Sequence, residues 1–449
     1  MTTPWLSTLV LPLSDSELAA RVRIPAQEVA ALTDFEPAVG AAALAEAFKA
    51  FYEPVDQDLE LIREIVNAAY AHALSAYSSM AEFRRRAQER PSFAPEARTR
   101  MLTGPSGVGK SCLFRAVGRL LRNDALVDAG PDLPSFPIRP VAHVLMRPKI
   151  TDHDLLEAVA EGIGVTLGTA KVNRSLIAHL QQRAYQRGFA LCLADEMQFV
   201  ARSAGASSLA AHLISTLGSL GPPVFYAANY SLGHKLSARP PEDQARFLSE
   251  PLVLLPLLPG DSGFESYCEG ARTILGERLE FDSTKHGEEF HAMTGGMRRM
   301  MARLFIGAYR VSAEERRTTS NSLRVTIDHI RVAHKSIQYS QDRISVAACH
   351  QAALGGKVPM GYVCPFPLPP VQARRVHQAS EIHQRTVLNV AVSKHMASAA
   401  ERDIARVQAA SKQTFKPVPA SKEAKPKKAA LSPEGLLKGL SIPRPPTQA

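Results

Sequence analysis

The sequence predicts an α/β protein: a parallel sheet that carries a phosphate-binding loop, followed by a small helical domain. Gly104-Pro105-Ser106-Gly107-Val108-Gly109-Lys110-Ser111 matches G-x-x-x-x-G-K-[ST]. It lies between a strand-like run, Arg98 to Thr103, and an amphipathic helix, Cys112 to Arg122. A second, wholly apolar run, Phe189 to Ala194, ends in Asp195-Glu196. From Gly263 onward the apolar residues recur at helical spacing and no further strong strand appears.

Met1 to Tyr52 reads as an N-terminal extension, with a strand over Trp5 to Leu13 and helices over Asp15 to Val22, Ile24 to Leu32 and Ala41 to Phe51. Asp56 to Arg86 reads as one helix ending in Arg84-Arg85-Arg86, the kind of run a solvated helix face carries. Core strands are expected at Arg98 to Thr103, Pro140 to Met146, Phe189 to Ala194, Pro223 to Ala228 and Pro251 to Leu258. Helices are expected over Asp152 to Ile163 and Arg174 to Arg187, and this alternation implies a parallel sheet. The helical region takes Gly263 to Leu275, Gly287 to Met293, Gly296 to Val311 and Thr326 to Ser336. Ser345 to Pro370 reads as poorly ordered and Val371 to Ala410 as weakly helical. The expected division is an extension over 1–55, an α/β core over 56–260, a helical lid over 261–345, a C-terminal extension over 346–411, and a basic tail over 412–449 that is disordered by composition.

A chain of 449 residues, 45% of them hydrophobic, has room for two or three domains. The net charge of +10 and pI near 9.4 suit a polyanion such as nucleic acid. The five cysteines are irregularly placed with no C-x-x-C pair, the usage of a reducing cytoplasm. Cys349, His350, Cys364, His377 and His383 are spaced too widely for a usual zinc finger. Met1 to Leu13 lacks the basic start and long apolar run of a secretory signal. No run of about 18 apolar residues exists, so a soluble, cytoplasmic protein without a membrane partner is expected.

The motifs specify chemistry. Glycines let backbone N–H groups curl around phosphates, and a helix N-terminus adds roughly half a positive charge. Gly104, Pro105, Ser106, Gly107, Val108, Gly109, Lys110, Ser111 and Cys112 form the expected nucleotide-binding set. Lys110 neutralises phosphate oxygens, and Ser111 with Asp195 holds Mg²⁺. Glu196 polarises the attacking water as general base. Asn229, after the fourth strand, is placed to contact the γ-phosphate or position that water. Arg246, before the last strand, is a candidate arginine finger toward a neighbouring subunit, with Arg239 as its rival. Gly295-Gly296-Met297-Arg298-Arg299 opens a helix in the lid, from which Arg298 or Arg299 can fold back onto the nucleotide. At least one strand separates the two phosphate-site motifs in sequence, the order of the ATPase branch with an added central strand.

Together, the phosphate loop, the Asp-Glu strand end, the sensor-like Asn229 and the helical lid with Gly-Gly-Met-Arg-Arg resemble the AAA+ ATPases. Asp195-Glu196-Met197-Gln198 is similar to the D-E-x-Q strand end of transposition regulators, as are Val144 to Thr151 and Gly295 to Arg310. The group it most resembles is the TnsC/TniB-type ATPase subunit of cut-and-paste transposons, with the phage Mu B protein more distant. The resemblance covers roughly Asp56 to Ser336. It implies an ATP- and Mg²⁺-dependent homo-oligomer, a ring or filament, that coats double-stranded target DNA. Such an assembly recruits transposase subunits, is itself recruited by a target-selection protein, and disassembles on hydrolysis. By that analogy Lys149 and Thr151, after the second strand, and Lys171 and Arg174, before a helix, face DNA phosphates. A nucleotide-gated signalling module or a secretion-associated ATPase is the alternative reading, and the sensor repeat, helix-turn-helix or membrane segment such proteins bring is not visible; a replication-type loader ATPase is a further one, which shares DNA binding and differs only in its partners. The tail carries Lys422 to Lys428 and then Leu436, Leu437 and Leu440, read as a segment that docks on a transposase subunit.

Overall fold

The structure, a computed structural model, describes residues 13–88, 97–122, 126–127, 135–167, 174–202, 206–319 and 322–386. The strand expected before Leu13, Lys171 and the basic tail lie outside them.

Helices α1 (Asp15–Val22), α2 (Pro37–Ala50), α3 (Asp56–Ala76) and α4 (Met80–Gln88) precede the sheet. The helix expected over Ile24 to Leu32 is absent. Pro25 biases Ile24 toward extended backbone, and Ile24 instead pairs with Tyr52 through N–H···O bonds of 2.9 and 3.1 Å. The single helix expected over Asp56 to Arg86 is broken after Ala76. Tyr77 leaves helical backbone, its hydroxyl bonding Phe189 O at 3.1 Å, and Ser79 caps the next turn by accepting from Glu82 N at 3.2 Å. Arg85 and Arg86 both pair with Glu82, as a solvated helix face does.

Five parallel strands follow: β1 (Thr99–Thr103), β2 (Val141–Leu145), β3 (Leu191–Asp195), β4 (Val224–Ala228) and β5 (Leu252–Val253). Their spatial order is β2-β3-β4-β1-β5. The strand between the two phosphate-site motifs in space is therefore β4, while the one between them in sequence, β2, lies at the edge. β5 is shorter than the run Pro251 to Leu258, because Pro256 has no N–H to continue the ladder. Every residue of β3 and β4 is buried, which is why both read as continuous apolar runs.

Alternation along these strands feeds two cores. Leu191, Leu193, Phe225 and Ala227 face α1, α3 and α5 (Lys110–Leu121). Cys192, Ala194, Val224 and Tyr226 face α6 (Asp152–Gly162), α7 (Arg174–Gln186), α8 (Ala206–Gly218) and α9 (Tyr230–Ser237). The short α10 (Pro241–Phe247) leads back toward β5.

The helical region expected as a lid contains α11 (Ser262–Leu275), α12 (Ser283–Thr294), α13 (Arg298–Thr319) and α14 (Ile327–Lys335). Its core of Phe290, Met301, Phe305 and Tyr309 also takes Leu44 and Phe48 from α2. Phe48 stacks on Phe305 with ring centroids 6.2 Å apart, and burying such a ring contributes about 1.5–3 kcal/mol. Gly40 permits the contact, since a Cβ there would fall 1.9 Å from Tyr309 Oη. Ser345 to Pro370, expected to be poorly ordered, instead contains α15 (Ser340–Ala353) and a 3₁₀ turn at Met360–Tyr362. Burial of Val346 and His350 against the lid outweighs the polar composition there. Residues 370–386 are helical.

Candidate nucleotide-binding site

The phosphate loop leaves the carboxyl end of β1. Gly107 and Gly109 stand at φ +86° and +126°, backbone that side chains rarely adopt. Behind Gly109 a Cβ would meet the Arg298 guanidinium at 2.6 Å. Lys110, the first residue of α5, is buried, and its Nζ donates to Gly104 O (2.8 Å), Pro105 O (3.0 Å) and Asn229 Oδ1 (2.9 Å). Burial pushes this ammonium down to about 8, partly offset by the carboxylates of Glu196 and Asp195. Register explains the meeting of Lys110 and Asn229. Thr103 pairs with Ala228, so the residues that follow each strand leave the sheet side by side.

Asp195 ends β3. Burial raises its carboxyl, but the neighbouring His143 ring and Ser111 hydroxyl outweigh burial and hold it below the usual range. Asp195 Oδ1 accepts from Glu196 N at 2.8 Å, and His143 Nε2 lies 3.8 Å from Oδ2. Glu196 itself has φ +60°, a left-handed turn that takes its side chain off the strand, and it accepts a hydrogen bond from Gln198 Nε2. His143 and Gln198 were missed as site residues. A lone polar residue in the apolar strand Pro140 to Met146 is the signal that points to His143.

These groups line a cavity of about 810 Å³. Beyond the loop its walls come from Phe51, Tyr52 and Glu53 of the N-terminal segment and from Ala302 and Ile306 of the lid. The N-terminal segment, read from sequence as an extension, thus walls the site.

The two lid arginines diverge. Arg299 is exposed, with Nη1 3.4 Å from Ser106 Oγ and its backbone N–H on Gly107 O at 3.1 Å. Arg298, the expected nucleotide contact, has its guanidinium committed elsewhere: it is buried, donating to Asp58 Oδ2 at 2.6 Å and Val108 O at 3.2 Å.

Arg246 is exposed at the other end of β1, where Thr99 Oγ1 donates to Arg246 O at 2.6 Å. It stands away from its own phosphate loop. Its rival Arg239 is paired with Asp243 at 2.8 Å. Lys149 is exposed at φ +64° in the turn after β2. Thr151, expected to face DNA, spends its hydroxyl as the cap of α6, accepting from Asp154 N at 3.2 Å. Arg174 is the first residue of α7. Of the imagined zinc set, His350 stacks on His383 at 4.0 Å and bonds Ser380, and among the described residues the set does not bring three ligand atoms within 4.8 Å of one another.

Residues 96–236 match a family model described as AAA domain. This stretch has the AAA+ P-loop fold. The chain is accordingly an ATPase, with its phosphate loop, Asp195-Glu196 and Asn229 all inside the matched residues. No curated protein sequence matches the chain. Among solved structures it is similar to the ORC1 protein of Aeropyrum pernix in complex with DNA, at 19% identity over 69% of this chain and 81% of that one, TM-score 0.37. It is also similar to Cdc6p of Pyrobaculum aerophilum (14% identity, 65% and 75% covered, TM-score 0.38). RuvB of Thermotoga maritima is a further likeness (12%, 66% and 75%, TM-score 0.31). Among the described residues no helix is long and apolar enough to cross a membrane.

Proposed function

We propose that this ATPase is a DNA-binding regulator of transposition, of the TnsC/TniB type, which assembles as a homo-oligomer on double-stranded target DNA. In this reading it links a target-selection protein to transposase subunits and leaves the DNA on hydrolysis. The observation that carries DNA binding is the turn after β2. Arg147 and Lys149 are exposed there, and β2 ends at the same carboxyl end of the parallel sheet as β1, which feeds the phosphate loop. Lys149 holds a left-handed backbone that costs a non-glycine residue about 1–2 kcal/mol, and such strain collects at functional positions. The net charge of +10 supports the same reading. The Asp-Glu-Met-Gln strand end and Gly295 to Arg310 support the transposon assignment.

The chemistry follows from the site. The loop N–H groups and Lys110 bind and orient the phosphates, with Lys110 exchanging the carbonyls it now holds for phosphate oxygens. The Ser111 hydroxyl and Asp195 carboxylate line the same cavity, and both are the hard oxygen donors that would hold Mg²⁺. When bound, Mg²⁺ neutralises charge on the transferring phosphoryl group. Glu196 takes the proton of the water that attacks the γ-phosphorus, and Asn229 holds the γ-phosphate through its place beside Lys110. Arg299 reaches the loop from the lid, and Arg246 is presented to a neighbouring subunit.

Fluorescence anisotropy with labelled linear duplex tests the reading. Tight binding is expected with a slowly hydrolysed ATP analogue and weak binding with ADP, the former falling steeply with salt. Equal affinity in both nucleotide states would overturn it.

A further inference from the structure

The helix that follows Asn229 is held by a distant part of the chain that the hydrolytic chemistry does not use. Asn229 stands at the N-cap of α9 but makes no capping bond there, and its Oδ1 instead accepts from Lys110 Nζ at 2.9 Å. The direction of its side chain is therefore set by the two elements it joins. β4 is fixed by pairing on both edges, with β1 and β3. α9 has no such ladder and is eight residues long. Leu232 and Leu236 pack one face of it into the core. Another face is covered by residues 363–366, which follow the 3₁₀ turn at Met360–Tyr362. His234 Nε2 donates to Val363 O at 2.8 Å. Pro365 lies so close to Gly233 that a Cβ there would fall 2.6 Å from Pro365 Cγ. Tyr230, the residue after Asn229, is buried and shares a cavity of about 260 Å³ with Val363, Cys364 and Leu368. Phe366 packs against the same core as Leu232 and Leu236.

The contact is fitted from both sides. A glycine inside a helix weakens it relative to alanine, so Gly233 weakens α9 but admits the proline ring. Prolines at 365, 367, 369 and 370 fix φ along the covering segment, which is therefore stiff and loses little freedom on packing. Beyond the prolines the chain is tied down again, Arg375 pairing with Asp261 and His383 Nδ1 donating to Ala292 O at 2.8 Å. We propose that residues 363–366 brace α9 and so hold the Asn229 amide in place beside the phosphate loop, with Gly233, His234 and Pro365 as positioning residues. The proposal rests on the reading of Asn229 as the residue that holds the γ-phosphate. Thr103 and Ala228 end adjacent strands, so a tilt of α9 moves the amide against a loop that stays where it is. ADP lacks the γ-phosphate, and its binding does not depend on the brace.

Steady-state ATP hydrolysis and ADP affinity of the full chain test the brace. In Gly233→Ala the new Cβ displaces Pro365 while alanine favours the helix, so kcat falls about tenfold and ADP affinity is kept. Adding Pro365→Ala removes the ring atom that clashes and restores kcat. In an Asn229→Ala background Gly233→Ala has no further effect, since the brace acts through Asn229 alone. Unchanged kcat in Gly233→Ala overturns the brace, and so does a further loss of kcat in the Asn229→Ala background, which a merely structural contact would give. Normal kcat in Asn229→Ala itself refutes the reading of Asn229, which separates the two failures. Should Gly233→Ala not fold, His234→Ala decides. It loses the bond to Val363 O, so kcat falls several-fold at unchanged ADP affinity, and His234→Gln, which keeps an N–H donor, retains most of the rate. Unchanged kcat in His234→Ala overturns the proposal.

Discussion

On the sheet side of the phosphate loop, the candidate functional groups follow adjacent strand ends whose register is set by backbone hydrogen bonds. On the lid side, one buried ion pair joins residues 240 positions apart. The sheet side brings Lys110, Asp195, Glu196 and Asn229 together through β1, β3 and β4, strands covered on both faces. The lid side meets the loop through Arg298, Arg299 and the N-terminal wall. The difference separates two duties. Phosphoryl transfer needs groups held within fractions of an ångström, which a close-packed sheet supplies. Joining the lid to α3 needs only a contact between distant stretches of chain, which the buried Asp58–Arg298 pair supplies.

If that division holds, damage on the sheet side abolishes chemistry while leaving the lid intact. Lys110→Ala has the largest expected effect, loss of measurable ATP binding and of nucleotide-dependent assembly, read by equilibrium binding of a fluorescent ATP analogue. Glu196→Gln should slow steady-state hydrolysis by about 10²–10⁴-fold with nucleotide affinity retained. Normal turnover in that variant would remove Glu196 from the role of base.

A subtler effect comes from the buried ammonium. Without nucleotide, Lys110 titrates near 8, and the phosphates of a ligand favour its charged form. Below that value the lysine is already protonated and binding moves no proton. Above it, binding takes up a proton, so affinity falls as pH rises from about 8 toward the unperturbed lysine range. Calorimetry in buffers of different ionisation enthalpy should show the uptake, and Lys110→Arg should remove it, since guanidinium stays charged. The smallest expected effect lies away from the loop. Lys149→Ala should lower the slope of log affinity for duplex against log salt by about 1 with hydrolysis in the absence of DNA unchanged.

The sheet side was legible in the sequence because each of its signals is local. A glycine loop between strand and helix, and an apolar run ending in Asp-Glu, reveal their geometry within a dozen residues. Which strand separates them was not local. Sequence order offers Pro140 to Met146, and the sheet places Val224–Ala228 there. The lid side was less legible. Nothing near Asp58 announces a partner in α13, and Arg298 differs from Arg299 only in which way the helix start turns it. The N-terminal segment was misread for a related reason. Ile24 to Leu32 has helical spacing, but Pro25 and the pairing of Ile24 with Tyr52 make it extended, and that pairing is seen only when the chain returns. The end of the lid erred the other way, because α15 owes its order to burial against α12 and α14 rather than to its own composition.

Electron microscopy of the purified chain with linear duplex DNA tests the central claim most directly. The account predicts regular rings or filaments on DNA with ATP or a slowly hydrolysed analogue, dispersed protein with ADP, and long-lived assemblies for Glu196→Gln. Nucleotide binding and hydrolysis without any DNA-dependent assembly would contradict it.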